Sequence, residues 1–86
     1  MDEKTKAELR EAGEACLRCL ENIFEEALQE PDFGQAEHWR REYSGGLKVL
    51  EAMRLISGDE YSARNEAMFK RWCRARYPEA YAEEDV

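Results

Sequence analysis

The sequence predicts an all-α fold: a small three-helix bundle built from a long antiparallel helical hairpin and a shorter third helix. Three observations predict it. Apolar or small residues recur at alternating three- and four-residue steps over three segments, each segment opens on a helix-capping pattern, and the 86 residues include only two prolines and five glycines. A chain of this length forms one domain with a modest core, because small chains leave much of their surface wet. Residues 1–77 are assigned to a single helical domain, and residues 78–86, "PEAYAEEDV", to an acidic C-terminal tail.

The first segment covers residues 5 to 29. Leu9, Gly13, Cys16, Leu20, Ile23 and Ala27 form its seam, and Leu17 and Phe24 widen the stripe. Thr5-x-x-Glu8 has the form of a capping box at the start. Pro31 stops the helix by disfavouring helical geometry at Glu30.

A second capping pattern follows at once, Asp32-x-x-Gln35, and from it Ala36, Trp39, Tyr43, Gly46, Leu50 and Met53 step along one face with Leu47 beside them. Two adjacent glycines inside this segment, Gly45 and Gly46, cost on the order of 2 kcal/mol relative to alanine. The periodicity runs through them without a phase break. Close approach of a partner helix or ring is therefore expected there, rather than a kink.

The third start is Ser57-x-x-Glu60, with Ile56 and Tyr61 placed as a hydrophobic staple around it. This helix is expected to run to about Arg76, to stop before Pro78, and to bury Tyr61, Met68, Phe69, Trp72 and Ala75. Within this region "LEAMRLISGDEYSARNEAMF", residues 50–69, resembles the short helical hairpins called SHOCT domains. Ile56, Ser57, Glu60 and Tyr61 match that pattern, whereas Arg54 or Leu55 stands where a glycine is usual, and Arg64 and Asn65 stand where lysines are. The resemblance implies an assembly or docking hairpin and carries no catalytic residues.

Cys16-x-x-Cys19 is the one short motif with the form of a chemical site. A structural zinc needs four ligands, and the remaining soft donors, His38 and Cys73, sit singly in other segments. Redox pairs of this form belong at a helix start, where the terminus lowers the thiol pKa, but this pair lies more than two turns inside a helix. The cysteines are read as packing thiols, Cys16 buried on the seam and Cys19 at its margin, with no metal and no cofactor expected. No phosphate-binding glycine loop, metal-binding histidine pair or nucleophile arrangement appears, so the chain is read as a non-enzyme. Three cysteines and no export pattern point to reduced thiols. No apolar run approaches the roughly 20 residues that cross a bilayer, and a cytoplasmic protein without a membrane partner is expected.

The formal charge is −7, unevenly spread. Residues 1–37 hold eleven acids and four bases, residues 38–77 hold nine bases and five acids, and the tail adds four acids. Intramolecular neutralisation is the plain reading. Against it stand two surfaces. Glu11, Glu14, Glu21 and Glu25, with Arg18 among them, are expected to form an acidic stripe opposite the seam, of a kind that imitates a phosphate backbone. Lys70, Arg71, Arg74 and Arg76 form the basic counterpart, suited to phosphates or to the C-terminal end of their own helix. Phe33, Trp39, Tyr43, Gly46, Tyr61 and Trp72 are the expected core or interface anchors. These features favour a non-catalytic protein-binding, regulatory or inhibitor module whose partner is another protein or a second copy of the chain. The alternatives are a nucleic-acid-binding helical module using the basic face, and an acidic inhibitor of a nucleic-acid-handling enzyme of the kind phages and mobile elements encode.

Overall fold

The chain enters its first helix two residues before Thr5. In the computed structural model, which describes residues 1–82, α1 spans Glu3–Gln29. Its cap is Asp2, whose carboxylate accepts from the Thr5 amide at 2.7 Å. Asp2-x-x-Thr5 thus replaces the expected Thr5-x-x-Glu8 cap, since a carboxylate caps as well as a hydroxyl and also complements the positive end of the helix dipole. Helix α2 spans Phe33–Ala52 and is capped as expected, with Asp32 accepting from the Gln35 amide at 3.0 Å. Helix α3 spans Gly58–Arg76, with Ser57 accepting from the Glu60 amide at 3.0 Å. A 3-10 turn, Pro78–Tyr81, follows it, so the first residues of the expected tail turn back on the domain. Glu83, Glu84 and Asp85 lie outside the described residues.

The three helices run up, down and up. Among the described residues no strand occurs, so the fold is an all-α three-helix bundle. It is a rod, with principal extents of 48 × 23 × 18 Å and a radius of gyration of 14.7 Å, against about 12 Å for a compact domain of this length.

Between α2 and α3 the chain reverses through a Schellman turn: the Leu55 amide donates to the Leu50 carbonyl at 2.9 Å and the Arg54 amide to the Glu51 carbonyl at 2.9 Å. Arg54 takes the left-handed position, φ 60°, that such turns normally give to glycine. Leu50, Leu55 and Ile56 are buried around it, which fixes the angle at which α3 returns.

Helices α1 and α2 meet at two reciprocal close approaches. A Cβ added at Gly46 would lie 2.9 Å from Leu17 Cδ2, and one added at Gly13 would lie 2.6 Å from Leu50 Cδ2. The expected close approach is therefore at Gly46, whereas Gly45 faces open space. Substitution separates the two positions. Gly45→Ala should stabilise the fold by about 0.5–1 kcal/mol through helix propensity alone. Gly46→Ala should gain less or lose, because Leu17 is 2 % exposed and has little room to yield. Thermal unfolding of the two single variants checks this.

The core comprises Leu17, Phe24, Ala27, Ala36, Tyr43, Leu47, Leu50, Leu55, Ile56 and Met68. On α1 it is centred on Leu17 and Phe24, so the expected seam is rotated. Leu9, Cys16 and Ile23 are exposed. The reason is α3, which docks against the flank of α1 carrying Glu14 and Glu21 and turns the buried arc towards itself. Two further expectations shift. Met53 caps the C-terminus of α2, past its last turn, and is 40 % exposed, and Phe69 is 48 % exposed on α3, where the Arg40 guanidinium covers its ring at 5.2 Å. Cys73, not Phe69, is buried.

Candidate interaction surfaces

Helices α1 and α3 are parallel, and a ladder of opposite charges joins them. Arg10 donates to Glu60 at 3.0 and 3.2 Å, Arg64 to Glu14 at 2.7 and 2.9 Å, and Arg71 to Glu21 at 2.8 Å. Arg71 also pairs with Glu25. The first three pairs each join residues 50 apart in sequence, so one register serves the whole length. The acidic stripe is thus not opposite the seam. Glu14, Glu21 and Glu25 form the border where α1 meets α3, and of the four named acids only Glu11 is classed as exposed.

The middle rung ties all three helices. Tyr43 of α2 is 4 % exposed, and its hydroxyl accepts from Arg64 Nε at 3.3 Å and Nη2 at 3.2 Å while the same guanidinium grips Glu14 with both forks. Planar bidentate geometry of this kind is specific to arginine. The Arg64 hydrogen bonds, aided by its charge, hold the Glu14 carboxyl below its ordinary range, and Glu14 in turn raises the Arg64 pKa. On α2, Glu37 is likewise depressed by Arg40, which donates to it at 2.9 and 2.6 Å, with Arg41 contributing at 3.2 Å.

These two shifts set an acid limit. Both carboxyls titrate below their ordinary value of 4.5 when folded. The unfolded chain therefore binds more protons near that pH, and stability rises with pH there. The contribution is complete above about 4.5 and is lost as pH falls through the depressed folded values. Thermal midpoints should be level from neutrality to about pH 5 and fall below it, and Glu14→Gln should make the fall shallower.

The four basic residues do not share one open face. Arg71 is turned inward to Glu21 and Glu25 and lies 5.5 Å from the Phe24 ring centroid. Arg76 stacks on Phe33 at 5.4 Å and Tyr77 at 5.0 Å. Arg74 lies over Tyr81 at 5.9 Å, and Lys70 pairs with Glu66 at 3.3 Å.

The aromatic anchors divide similarly. Trp72 is half-buried and donates from Nε1 to the Phe33 carbonyl at 3.1 Å, which pins the end of α3 to the start of α2. Tyr61 is half-buried under Lys48 Nζ at 5.1 Å. Trp39 is half-buried with His38 edge-on at 4.9 Å, and half-buried Gly46 receives Leu17.

Cys16 and Cys19 are both exposed, a correction to the expected burial of Cys16, whose position about 100° round the helix from Leu17 takes it off the core. Among the described residues no three His, Cys, Asp or Glu side chains converge as metal ligands, and no helix is long and apolar enough to cross a membrane. An open hollow of about 290 Å³ lies beside the N-terminal part of α1, lined by Glu3, Lys6, Ala7, Arg10, Arg54 and Leu55. It contains no nucleophile or general base with a positioned partner.

What remains open is a largely apolar face of the α1–α2 hairpin turned away from α3. Leu9 and Ile23 are each 37 % exposed, Val49 57 % and Met53 40 %, with Cys16 and Cys19 between Leu9 and Ile23. Sequence reasoning placed Leu9, Cys16, Ile23 and Met53 in the core, so it missed this face. The charge ladder was missed too, because its signal, opposite charges at a constant 50-residue offset, emerges only when α1 and α3 are laid parallel. Compared with protein-family models, curated proteins and solved structures, the chain matches none.

Proposed function

We propose that this chain is a non-catalytic protein-binding module that works through the apolar face of its α1–α2 hairpin. One observation carries the reading: Arg64 engages Glu14 and Arg71 engages Glu21 and Glu25, while Leu9, Ile23, Val49 and Met53 meet solvent. Contiguous exposed apolar residues rimmed by charge mark interaction sites on small proteins. The likeness of residues 50–69 to SHOCT hairpins agrees with a docking role. A regulatory or inhibitory partnership in the cytoplasm fits the exposed thiols, which persist reduced there.

The nucleic-acid reading draws less support, since phosphate binding needs cations able to displace the counterions of the nucleic acid, and Arg71 is engaged by Glu21 and Glu25 while Arg76 is stacked on Phe33 and Tyr77. The acidic-inhibitor reading weakens for the same reason on the opposite charge. Affinity capture from cells that express the protein tests the proposal. Capture should be lost with Ile23→Glu/Val49→Glu and retained with Lys70→Gln/Arg74→Gln. The reverse pattern would sink the apolar-face reading.

A further inference from the structure

The exposed stripe on α1 has a spacing of its own. Leu9, Ala12, Cys16, Cys19 and Ile23 follow one another by alternating steps of three and four, and all are exposed. This is the heptad pattern of a second helix-packing seam, about 115° round the helix from the Leu17–Phe24 line. From Leu9 to Ile23 it is about 21 Å long, and no charged residue falls on it. A chain with one buried seam and one open seam on the same helix is built to receive another helix.

We propose that the occupant is a second copy of this chain, packed α1 against α1 in antiparallel sense about a two-fold axis. The inference rests on the protein-binding reading above and names its partner. Two features of the molecule point to a second copy. The first is size. In antiparallel heptad pairing Leu9 meets the other copy's Cys19, Ala12 meets Cys16, and Thr5 meets Ile23, so the larger side chains fall opposite smaller ones on a self-complementary surface.

The second is area. A helix contact about 21 Å long buries on the order of 500 Å² per copy, and Val49 and Met53 extend it towards the roughly 600 Å² per copy at the lower end of specific interfaces. Gly13 pairs with Leu50 and Leu17 with Gly46 across the hairpin, which places Val49 level with Glu14, beside the proposed axis. The cysteines then acquire a role: small, uncharged side chains that let two helices approach closely.

Light scattering on the full chain at about 100 μM should give twice the mass of one chain, and Ile23→Glu should give a single-chain mass with unchanged helical circular dichroism. Thiol labelling needs no variant. Cys16 and Cys19 should react about tenfold more slowly at that concentration than after dilution to the monomer, with Cys73 slow throughout. Mild oxidation of Ala12→Cys/Cys19→Ser should yield a disulfide-linked pair of chains, and Cys19→Ser alone should not. A monomer with two fast thiols would overturn the proposal, as would crosslinking of Cys19→Ser through Cys16 alone, which indicates parallel packing. If the monomer still captures a different protein through Ile23 and Val49, the protein-binding reading stands and only the second copy is removed.

Discussion

Phe24→Ala is expected to cost about 3–5 kcal/mol, the usual penalty for emptying an enclosed aromatic site. The ring is fully buried, with 0 % exposure, and lies on the line of α1 that faces both other helices. Its removal also withdraws the surface beneath Arg71, whose guanidinium sits 5.5 Å from the ring centroid while pairing with Glu21 and Glu25. Packing and ion pairing should therefore fail together. In a domain of this size such a loss lowers the thermal midpoint by on the order of 20 °C. Circular dichroism melts measure it, and a loss under about 1 kcal/mol would mean the α1 core is not centred where the fold places it.

Arg64→Ala is the second large effect. It leaves the Glu14 carboxylate without its bidentate partner and the buried Tyr43 hydroxyl without its donors, each in a setting only partly open to water. Charge-assisted hydrogen bonds contribute more than neutral ones, and stranded partners add their desolvation cost, so about 2–3 kcal/mol is expected. Arg64→Lys should recover only part of it, because one ammonium cannot span both carboxylate oxygens and the phenol. Denaturant unfolding of both variants reads the difference. A loss under about 0.5 kcal/mol for Arg64→Ala would class the cluster with ordinary surface pairs.

Helix number and order were legible because capping and periodicity are local: Asp32, Ser57, Pro31 and Pro78 mark boundaries from adjacent residues alone. Gly46 was legible for a related reason, since a glycine inside an unbroken periodic stretch asks for a close neighbour, and Leu17 is that neighbour. The phase of α1 was not. Leu9, Cys16 and Ile23 make as good a seam as Leu17 and Phe24 by spacing, and the choice between them depends on where α3 lies. That position is set by Glu14–Arg64 and Glu21–Arg71, contacts between residues 50 apart. Charges on a helix read alone as a solvated stripe; only the third helix turns them into a border. The same competition between two seams explains why the apolar face proposed as the working surface was first read as core.

The account stands on the claim that the acids of α1 and the arginines of α3 hold these helices together and are thereby withdrawn from outside partners. A double-mutant cycle on Glu14 and Arg64, using Glu14→Gln, Arg64→Gln and the pair, measures that claim most directly. A coupling of about 1 kcal/mol or more, diminishing as the pH is lowered below about 4.5, is predicted. Additive losses, within about 0.3–0.5 kcal/mol at neutral pH, would contradict it and return both charged surfaces to the list of docking sites.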